Sequence, residues 1–200
     1  MHGDLLPLDF YLRPVEEVAV GLLGEILSHG AVQLRITEVE AYGGPDDSAS
    51  HARFGRTPRN GAMWEGGGRA YVYLCYGVHW MLNVVTGPEG AASAVLVRGA
   101  EILEGAEIVR SRRSGRIDCR GPGKVAQALA LDGRFDRHPF HEKGDLELRQ
   151  GSRPTGILQG PRVGIDYANP KDRTRPWRFL AQEGPQPPGF QEWQAQAALP

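Results

Sequence analysis

Apolar and polar side chains alternate most clearly between residues 31 and 40. Such alternation is typical of a strand with one buried face, so we predict a strand there. If the alternation continues unbroken, Glu38, Glu40 and Tyr42 fall on the same face as the apolar residues, and a Gly-Gly-Pro sequence then ends the strand. Ionised carboxylates are costly to bury unless they are paired or functional. The end of this strand is therefore the first candidate for a functional site.

The rest of the chain mixes helical and strand patterns. Apolar stripes at helical spacing predict helices over residues 15–27 and 100–110, and Gly121 opens a third helix that runs to about Leu131. Strands, or short strands and loops, are predicted over residues 70–76, 78–85, 93–98, 145–150, 155–165 and 175–181. Residues 43–69 are rich in glycine and lack periodicity, and a loop of that length is usually functional. Because no regular strand–helix–strand repeat is present, the pattern favours an α+β fold over a parallel sheet.

The composition is that of a soluble globular protein. Of the 200 residues, 40% are hydrophobic and 24% are charged, which fits one domain over residues 1–200. Since the sequence has neither a long apolar run nor an apolar leader, we expect a cytoplasmic protein without a membrane span, associated with the nucleoid if bacterial. Cys75 and Cys119 have no CxxC spacing, so we expect reduced thiols. Proline and glutamine dominate residues 183–200, which predicts a loosely packed tail.

The charges are distributed unevenly along the chain. Residues 1–51 carry a net charge of −7, residues 52–70 carry +3 and residues 110–124 carry +5, although the whole chain carries −1. Such asymmetry is typical of a protein with one surface that faces an anion, such as nucleic acid. The alternative for each basic segment is a solvated, arginine-rich loop.

Two motifs could bind the parts of a nucleic acid. The sequence Gly-Pro-Gly-Lys at residues 121–124 would place free N–H groups and a lysine at a helix start, where anions bind, although it also fits an ordinary helix entry. Tyr71 and Tyr73 would lie on one face of a strand and could stack on bases, or be ordinary core and surface tyrosines. The candidate phosphate-binding residues are Arg59, Gly123 and Lys124.

Several enzyme classes lack their motifs in this sequence. It contains no GxxxxGK[ST] phosphate-binding loop, no HxE with PCxxC of the zinc base deaminases, and no GxSxG of the serine hydrolases. The histidines His79, His138 and His141 have no ligand partner at useful spacing, and we expect neither a metal nor another cofactor.

The ordered set of motifs resembles the alkyladenine DNA glycosylase family, also called 3-methyladenine or methylpurine DNA glycosylases. The resemblance runs from about residue 10 to residue 180, and its specificity comes from the order and spacing of strings that are individually weak. The matching strings are TEVEAYGGPDD at 37–47, SH at 50–51, TPRN at 57–60, YVYLCYG at 71–77, LN at 82–83, VLVR at 95–98, GPGK at 121–124, QAL at 127–129 and PRVG at 161–164. The net charge is less basic than we expect for a DNA enzyme, and residues 111–118 match nothing assignable.

The resemblance implies a fold and a reaction. The fold would be a single mixed α/β domain built around a curved, mostly antiparallel sheet, with the family-like core over about residues 10–180. The protein would be a monomer that binds double-stranded DNA containing damaged purines, namely 3-methyladenine, 7-methylguanine, hypoxanthine or ethenoadenine. It would hydrolyse the N-glycosidic bond and leave an abasic site for base excision repair. Glu40 would be the general base that activates water, and Arg98 and the backbone of Val163 would help to hold that water.

The resemblance also implies how the damaged base is bound. Tyr42, His51 and Tyr73 would enclose and hydrogen-bond a purine flipped out of the duplex. Tyr76 would be the wedge that fills the gap left in the stack. Asn83 would crowd the exocyclic amino group of a normal guanine. The order of preference among the four damaged purines does not follow from the sequence.

The residues leave two other functions open. A non-catalytic nucleic-acid-binding module could use the tyrosine strand as a stacking platform, but Glu40 and Arg98 would then have no role. A carbohydrate glycosidase could use Glu38 and Glu40 as its carboxylate pair. Such pairs normally face each other across a cleft, and this function does not explain the basic segments. A bifunctional glycosylase would need an amine nucleophile, and the only lysines, Lys124, Lys143 and Lys171, lie outside the strings predicted to form the pocket.

Overall fold

A computed structural model describes residues 3–182 and 184–194 of the chain. Within these residues the strands form one antiparallel sheet, to which short helices are added, so the predicted α+β class is confirmed. The strands are β1 (Ile26–His29), β2 (Val32–Tyr42), β3 (Ala70–Cys75), β4 (His79–Thr86), β5 (Ser93–Glu104), β6 (Leu146–Arg149), β7 (Ile157–Gly160), β8 (Arg178–Ala181) and β9 (Gln191–Glu192). The helices are α1 (Leu8–Tyr11), α2 (Val15–Leu22), α3 (Ala106–Arg112), α4 (Pro122–Ala128) and α5 (Pro170–Thr174).

Strand β2 is the centre of the sheet. The strand order is β3-β4-β5-β2-β8-β7-β9, and β1 pairs with both β2 and β6. The glycine-rich segment predicted to be a loop contains two 3₁₀ helices, His51–Phe54 and Gly61–Trp64. No helix in residues 3–182 or 184–194 is long and apolar enough to cross a membrane.

Two predicted helices were too long. The helix predicted over residues 15–27 is α2, and it ends at Leu22. It cannot continue, because Gly24 has a φ of +90° and the chain then enters β1. The predicted helix over residues 100–110 is wrong over its first turn and a half: β5 continues to Glu104, and a helix begins only after Gly105, which has a φ of +80°. The first residues of that stretch are held as a strand because they pair with residues 33–36 of β2.

The prediction for the faces of β2 is also wrong, and the reason is a paired irregularity. The register between β2 and β5 shifts on both sides of Glu38, which pairs with Gly99. Before this point Ile36 packs in the main core, and after it Val39 and Ala41 do. Glu38, Glu40 and Tyr42 therefore lie on the face opposite the apolar residues that precede them, so the charged end of β2 does not enter the main core.

The two faces of the sheet pack against different parts of the chain. The main core lies on one face and contains residues of α2 and α4 together with Val39, Val97 and Leu82. A smaller cluster covers the other face near β3, β4 and β5, and consists of Ala52, Ala62, Met63, Tyr71, Val85, Ala92 and Ala94. The glycine-rich segment thus folds over the face that carries Glu40.

The segment predicted to be a loose tail is partly described. Residues 184–194 are mostly exposed, but β9 pairs with β7, and Trp193 packs against the main core. Residues 183 and 195–200 of that segment lie outside the described residues. Cys75 and Cys119 are free thiols.

A buried ion pair joins the end of β2 to a distant segment. Both guanidinium Nη atoms of Arg162 donate to the carboxylate of Asp47, at 2.6 and 2.9 Å, and both side chains are buried. Arg162 also donates to the Ala41 carbonyl at 2.9 Å, while Asp47 accepts the Gly43 N–H at 3.0 Å. Removing one partner of such a pair leaves an uncompensated buried charge, which costs far more than the net value of the pair.

We predict that Asp47→Ala lowers the free energy of unfolding by about 3–5 kcal/mol, because Arg162 loses its buried counter-charge. Urea unfolding followed by circular dichroism measures this change. The control is Glu101→Ala, which breaks an exposed ion pair with Arg35 and should cost at most about 1 kcal/mol. Similar losses in the two variants would contradict a structural role for the buried pair.

Candidate active site

The carboxylate of Glu40 is held on three sides. Its side chain is fully buried, Oε1 accepts the Val163 N–H at 2.7 Å, and Oε2 accepts the Tyr42 hydroxyl at 2.8 Å. Arg98 Nη1 donates to the same Oε2 at 3.3 Å. A carboxylate has about four lone-pair positions on its two oxygens. These contacts occupy three of them and leave one on Oε1 for a further donor, such as a water molecule.

The environment of Glu40 changes its acidity in two opposing ways. Burial raises the pKa of Glu40 above its ordinary value, whereas Arg98, the Val163 N–H and the Tyr42 hydroxyl lower it, and the net shift is upward. A raised pKa makes the carboxylate a stronger base than a solvated glutamate. Glu40 is therefore suited to accept a proton.

Arg98 belongs to a row of alternating charges. Its Nε donates to Glu38 Oε1 at 3.0 Å, and Arg178 from β8 donates to the same oxygen at 2.7 Å. Burial lowers the pKa of Arg98, but the carboxylates of Glu40 and Glu38 raise it by more. The net shift is upward, so the guanidinium stays charged. Glu38 is thus bound by two arginines rather than facing Glu40 across a cleft. This arrangement does not fit the paired carboxylates of a carbohydrate glycosidase.

A cavity of about 630 Å³ opens next to Glu40 and has aromatic walls. Tyr71 and Tyr73 project from β3 with their rings stacked at a centroid distance of 5.1 Å. His51 meets Tyr73 edge-on at 4.7 Å, and its Nδ1 lies 2.9 Å from the Tyr71 hydroxyl. Tyr42 closes another side, with Arg162 lying 4.8 Å from its ring centroid. The volume is within the range of small-molecule sites and is large enough for a purine.

Burial keeps His51 and Tyr73 of the cavity wall in their neutral forms. Burial, aided by Arg59 and Arg53, lowers the pKa of His51 to about 4, so the imidazole is uncharged at neutral pH. Burial likewise raises the pKa of Tyr73 above its ordinary value. Asn83 is buried in β4 and donates to the Tyr71 carbonyl at 3.0 Å, which fixes its amide at the cavity.

The predicted wedge residue lies at the tip of a hairpin. Tyr76 and Gly77 form the turn between β3 and β4 with φ values of 51° and 71°, and the Tyr76 side chain is 94% exposed. A bulky residue is uncommon at positive φ, and an aromatic ring is more stable when buried. Neither local conformation nor burial explains a tyrosine at this position.

The candidate phosphate-binding residues are at the surface, and two of them have partners within the protein. Arg59 borders the cavity and donates to the Leu74 carbonyl at 3.0 Å. Lys124 forms an ion pair with Asp118. Gly123 lies in the first turn of α4, where a side chain would contact His79.

Much of the basic segment 110–124 is engaged inside the protein. Arg113 is buried and donates to the Asp118 carbonyl, and Arg112 donates to the Ala128 carbonyl at 2.7 Å. Arg110 pairs with Glu107 on the surface of α3. The predicted anion-binding role of this segment therefore depends chiefly on its exposed residues, Arg116 and Arg120.

The sequence predicts one site from Glu40, Arg98, Val163, Tyr42, His51, Tyr73 and Asn83. Six of these residues line the cavity, and Glu40 lies buried behind the wall, hydrogen-bonded to Tyr42, Arg98 and Val163. No role was predicted for Arg178, Tyr167 or the Asp47–Arg162 pair. Arg162 and Asp47 both lie in motif strings, but their pairing spans 115 positions and only the fold reveals it. Tyr167 lines the cavity, and its hydroxyl donates to the Ala49 carbonyl at 2.9 Å.

The arrangement combines a buried base, a permanent positive charge beside it and an aromatic cavity. Such a site can activate water and stabilise a developing positive charge on a bound molecule. Among the described residues no group of three or more His, Cys, Asp or Glu side chains could hold a metal ion.

Comparison with known proteins gives a consistent result. The model of the family described as methylpurine-DNA glycosylase matches residues 9–185. A protein of Nitrosococcus oceani named "Putative 3-methyladenine DNA glycosylase" is 50% identical over 185 residues, which cover 91% of this chain and 92% of that protein. The DNA-3-methyladenine glycosylase of Arabidopsis thaliana is 45% identical over 186 residues, covering 90% of this chain and 73% of that protein. Because the match covers nearly the whole chain, this protein belongs to the methylpurine-DNA glycosylase family and is a DNA N-glycosylase.

Proposed function

We propose that this protein is a monofunctional glycosylase that removes damaged purines from duplex DNA and leaves an abasic site. Its substrates would be 3-methyladenine, 7-methylguanine, hypoxanthine and ethenoadenine, and the names of its relatives favour the first of these. The observation that carries the proposal is the buried Glu40 carboxylate beside an aromatic cavity large enough for a purine. The protein would act as a monomer on DNA in the cytoplasm or nucleoid.

A base enclosed by this cavity would have to leave the DNA helix before it reacts. Extruding a nucleotide from a duplex costs a few kcal/mol, and less for a damaged base. Tyr42, His51 and Tyr73 would enclose the extruded base. Alkylated purines often carry a positive charge, which aromatic faces attract by about 0.5–2 kcal/mol. Because His51 is neutral at physiological pH, it would not repel such a cation.

Cleavage of an N-glycosidic bond develops positive charge on the sugar. Glu40 would stabilise that charge and take a proton from water bound at the free position of Oε1. Arg98 and the Val163 N–H would hold the carboxylate in one orientation, so that the water is aimed at the sugar carbon. The residues that line the cavity include no lysine, which supports hydrolysis by water rather than attack by an amine.

Discrimination against normal guanine would depend on Asn83. Its amide is fixed by the Tyr71 carbonyl, so it cannot move away from an exocyclic amino group placed against it. The Tyr76 ring would fill the space vacated by the extruded base. The remaining duplex would contact the exposed arginines near the cavity and Gly123 and Lys124 at the start of α4.

We predict that Glu40→Gln slows base release at least about hundredfold, because the amide keeps the shape of the side chain but cannot accept a proton from water. Single-turnover excision of hypoxanthine and 7-methylguanine measures the rate, and gel shift on duplex with an abasic analogue should show retained binding. Glu101→Gln, at an exposed position of β5, is the matched control. Excision by Glu40→Gln within tenfold of the wild-type rate would remove Glu40 from the mechanism.

We predict that Tyr76→Asn weakens binding to a lesion duplex about tenfold or more, since stacking is worth about 1–3 kcal/mol per base. Asparagine tolerates positive φ, so the free energy of unfolding should stay the same or rise. Lower affinity with undiminished stability is a result that a purely structural tyrosine cannot give. The loss should shrink when the lesion lies opposite a mismatch, and equal losses on paired and mispaired lesions would argue against a wedge.

We predict an acid limb in the pH–rate profile that belongs to Glu40. Because the folded pKa of Glu40 is raised, the base should protonate, and the rate should fall, as pH drops through a value above the ordinary 4.5. His51 protonates only near pH 4, so His51→Gln should leave the position of the limb unchanged even if it lowers the maximum rate. Single-turnover rates on 7-methylguanine, measured for wild type and His51→Gln at the same pH values, give the profile. A limb that disappears in His51→Gln would assign it to the histidine instead.

A further inference from the structure

A second cavity adjoins the first and has no role in the proposed reaction. Its volume is about 500 Å³, and its lining includes Asp46, Arg53, Phe54, Tyr167 and Asn169. Tyr167 also lines the larger cavity beside Glu40, so the two spaces share one wall. A molecule that fills the first cavity therefore lies next to the second cavity.

An aromatic and cationic stack forms one side of this second cavity. The Arg53 guanidinium lies 4.6 Å from the ring centroid of Phe54 and 5.0 Å from that of Tyr167. Arg53 Nη1 donates to the Ser50 carbonyl at 2.9 Å, and the Tyr167 hydroxyl is held by Ala49. The three side chains are called here the Arg53 stack. Backbone carbonyls of the glycine-rich segment hold Arg53 and Tyr167, and the Phe54 ring lies against the Arg53 guanidinium.

The exposure of Phe54 has no structural explanation. Its side chain is 84% exposed at the end of a 3₁₀ helix, and it belongs to none of the buried clusters. Leaving a phenylalanine in water forgoes the favourable free energy of burying its ring. Only Tyr76, the proposed wedge, is more exposed among the large hydrophobic residues described as exposed. An aromatic ring presented beside an arginine is the arrangement that binds an unstacked nucleobase and its phosphate.

We propose that the Arg53 stack binds the base of the nucleotide next to the extruded one, on the same DNA strand. This inference rests on the proposed function, because it requires a nucleotide in the first cavity. Extrusion removes one stacking partner from each of the two neighbouring bases. Where the Tyr76 ring packs on one of them, the other can turn onto Phe54 at reduced cost. Because Tyr167 lines both cavities, the second site directly adjoins the first, and Arg53 supplies positive charge for the connecting phosphate.

The test pairs a change in the protein with a change in the DNA. Dissociation constants are measured by fluorescence anisotropy for duplexes with one tetrahydrofuran abasic analogue, and for duplexes with a second analogue at the 5′ or the 3′ neighbour. Phe54→Ala should weaken binding to the single-analogue duplex about tenfold. On the duplex that lacks the contacted neighbouring base, wild type and Phe54→Ala should bind equally. Phe54→Trp keeps an aromatic ring, so it should bind the single-analogue duplex as tightly as wild type or more tightly.

Leu12→Ala is the control, since Leu12 is an exposed apolar residue that lines neither cavity and should bind as wild type does. Equal binding by wild type and Phe54→Ala to the single-analogue duplex would overturn the proposal. So would a tenfold loss that persists when either neighbouring base is absent, because Phe54 would then contact another part of the DNA. Base release by the wild-type protein is measured separately, so a failure of the proposed function is distinguished from a failure of this contact.

Discussion

The buried pairing of Asp47 with Arg162 is the constraint on which the site depends. Arg162 holds the Ala41 carbonyl, between Glu40 and Tyr42, and it precedes Val163, whose N–H binds Glu40. The Arg162 guanidinium therefore fixes the end of β2 relative to the segment around Val163, whose N–H completes the hydrogen bonding of Glu40. A weak surface pair could not do this, because exposed ion pairs contribute little and exchange partners with water. Burial makes the pair costly to break, and that cost keeps the two segments in one arrangement.

The same principle extends into the row of charges beside the cavity. Glu40, Arg98, Glu38 and Arg178 alternate in sign along neighbouring strands, so each buried charge has a partner of opposite sign. Glu40 remains the least satisfied member, because burial still raises its pKa despite three donors. Arg98 stays charged beside it, and the contacts of Arg98 with both Glu40 and Glu38 tie the two carboxylates to one guanidinium.

Much of this arrangement could be predicted from the sequence, and the errors have physical causes. Motif strings brought Glu40 and the cavity residues into one predicted site, because those strings keep their order and spacing along the chain. The face of Glu40 was mispredicted because matching irregularities in β2 and β5 change the alternation, and a pattern read along one strand cannot detect its partner. The helix predicted from residue 100 failed because an apolar stripe continued across Gly105, where the backbone changes direction. Pairing of residues more than a hundred positions apart, as between Asp47 and Arg162, leaves no local signal.

The connectivity of the site has a consequence for the chain during its synthesis. Glu40 is translated early, but the N–H that binds it belongs to Val163 and the arginine that completes its charge row is Arg178, which are 123 and 138 positions later. A nascent chain that has emerged only to the end of β5 contains the base and most of the cavity wall, yet it lacks the groups that orient the carboxylate. In the proposed mechanism the site is therefore complete only when β8 has joined the sheet, which ties the onset of base release to the completion of folding.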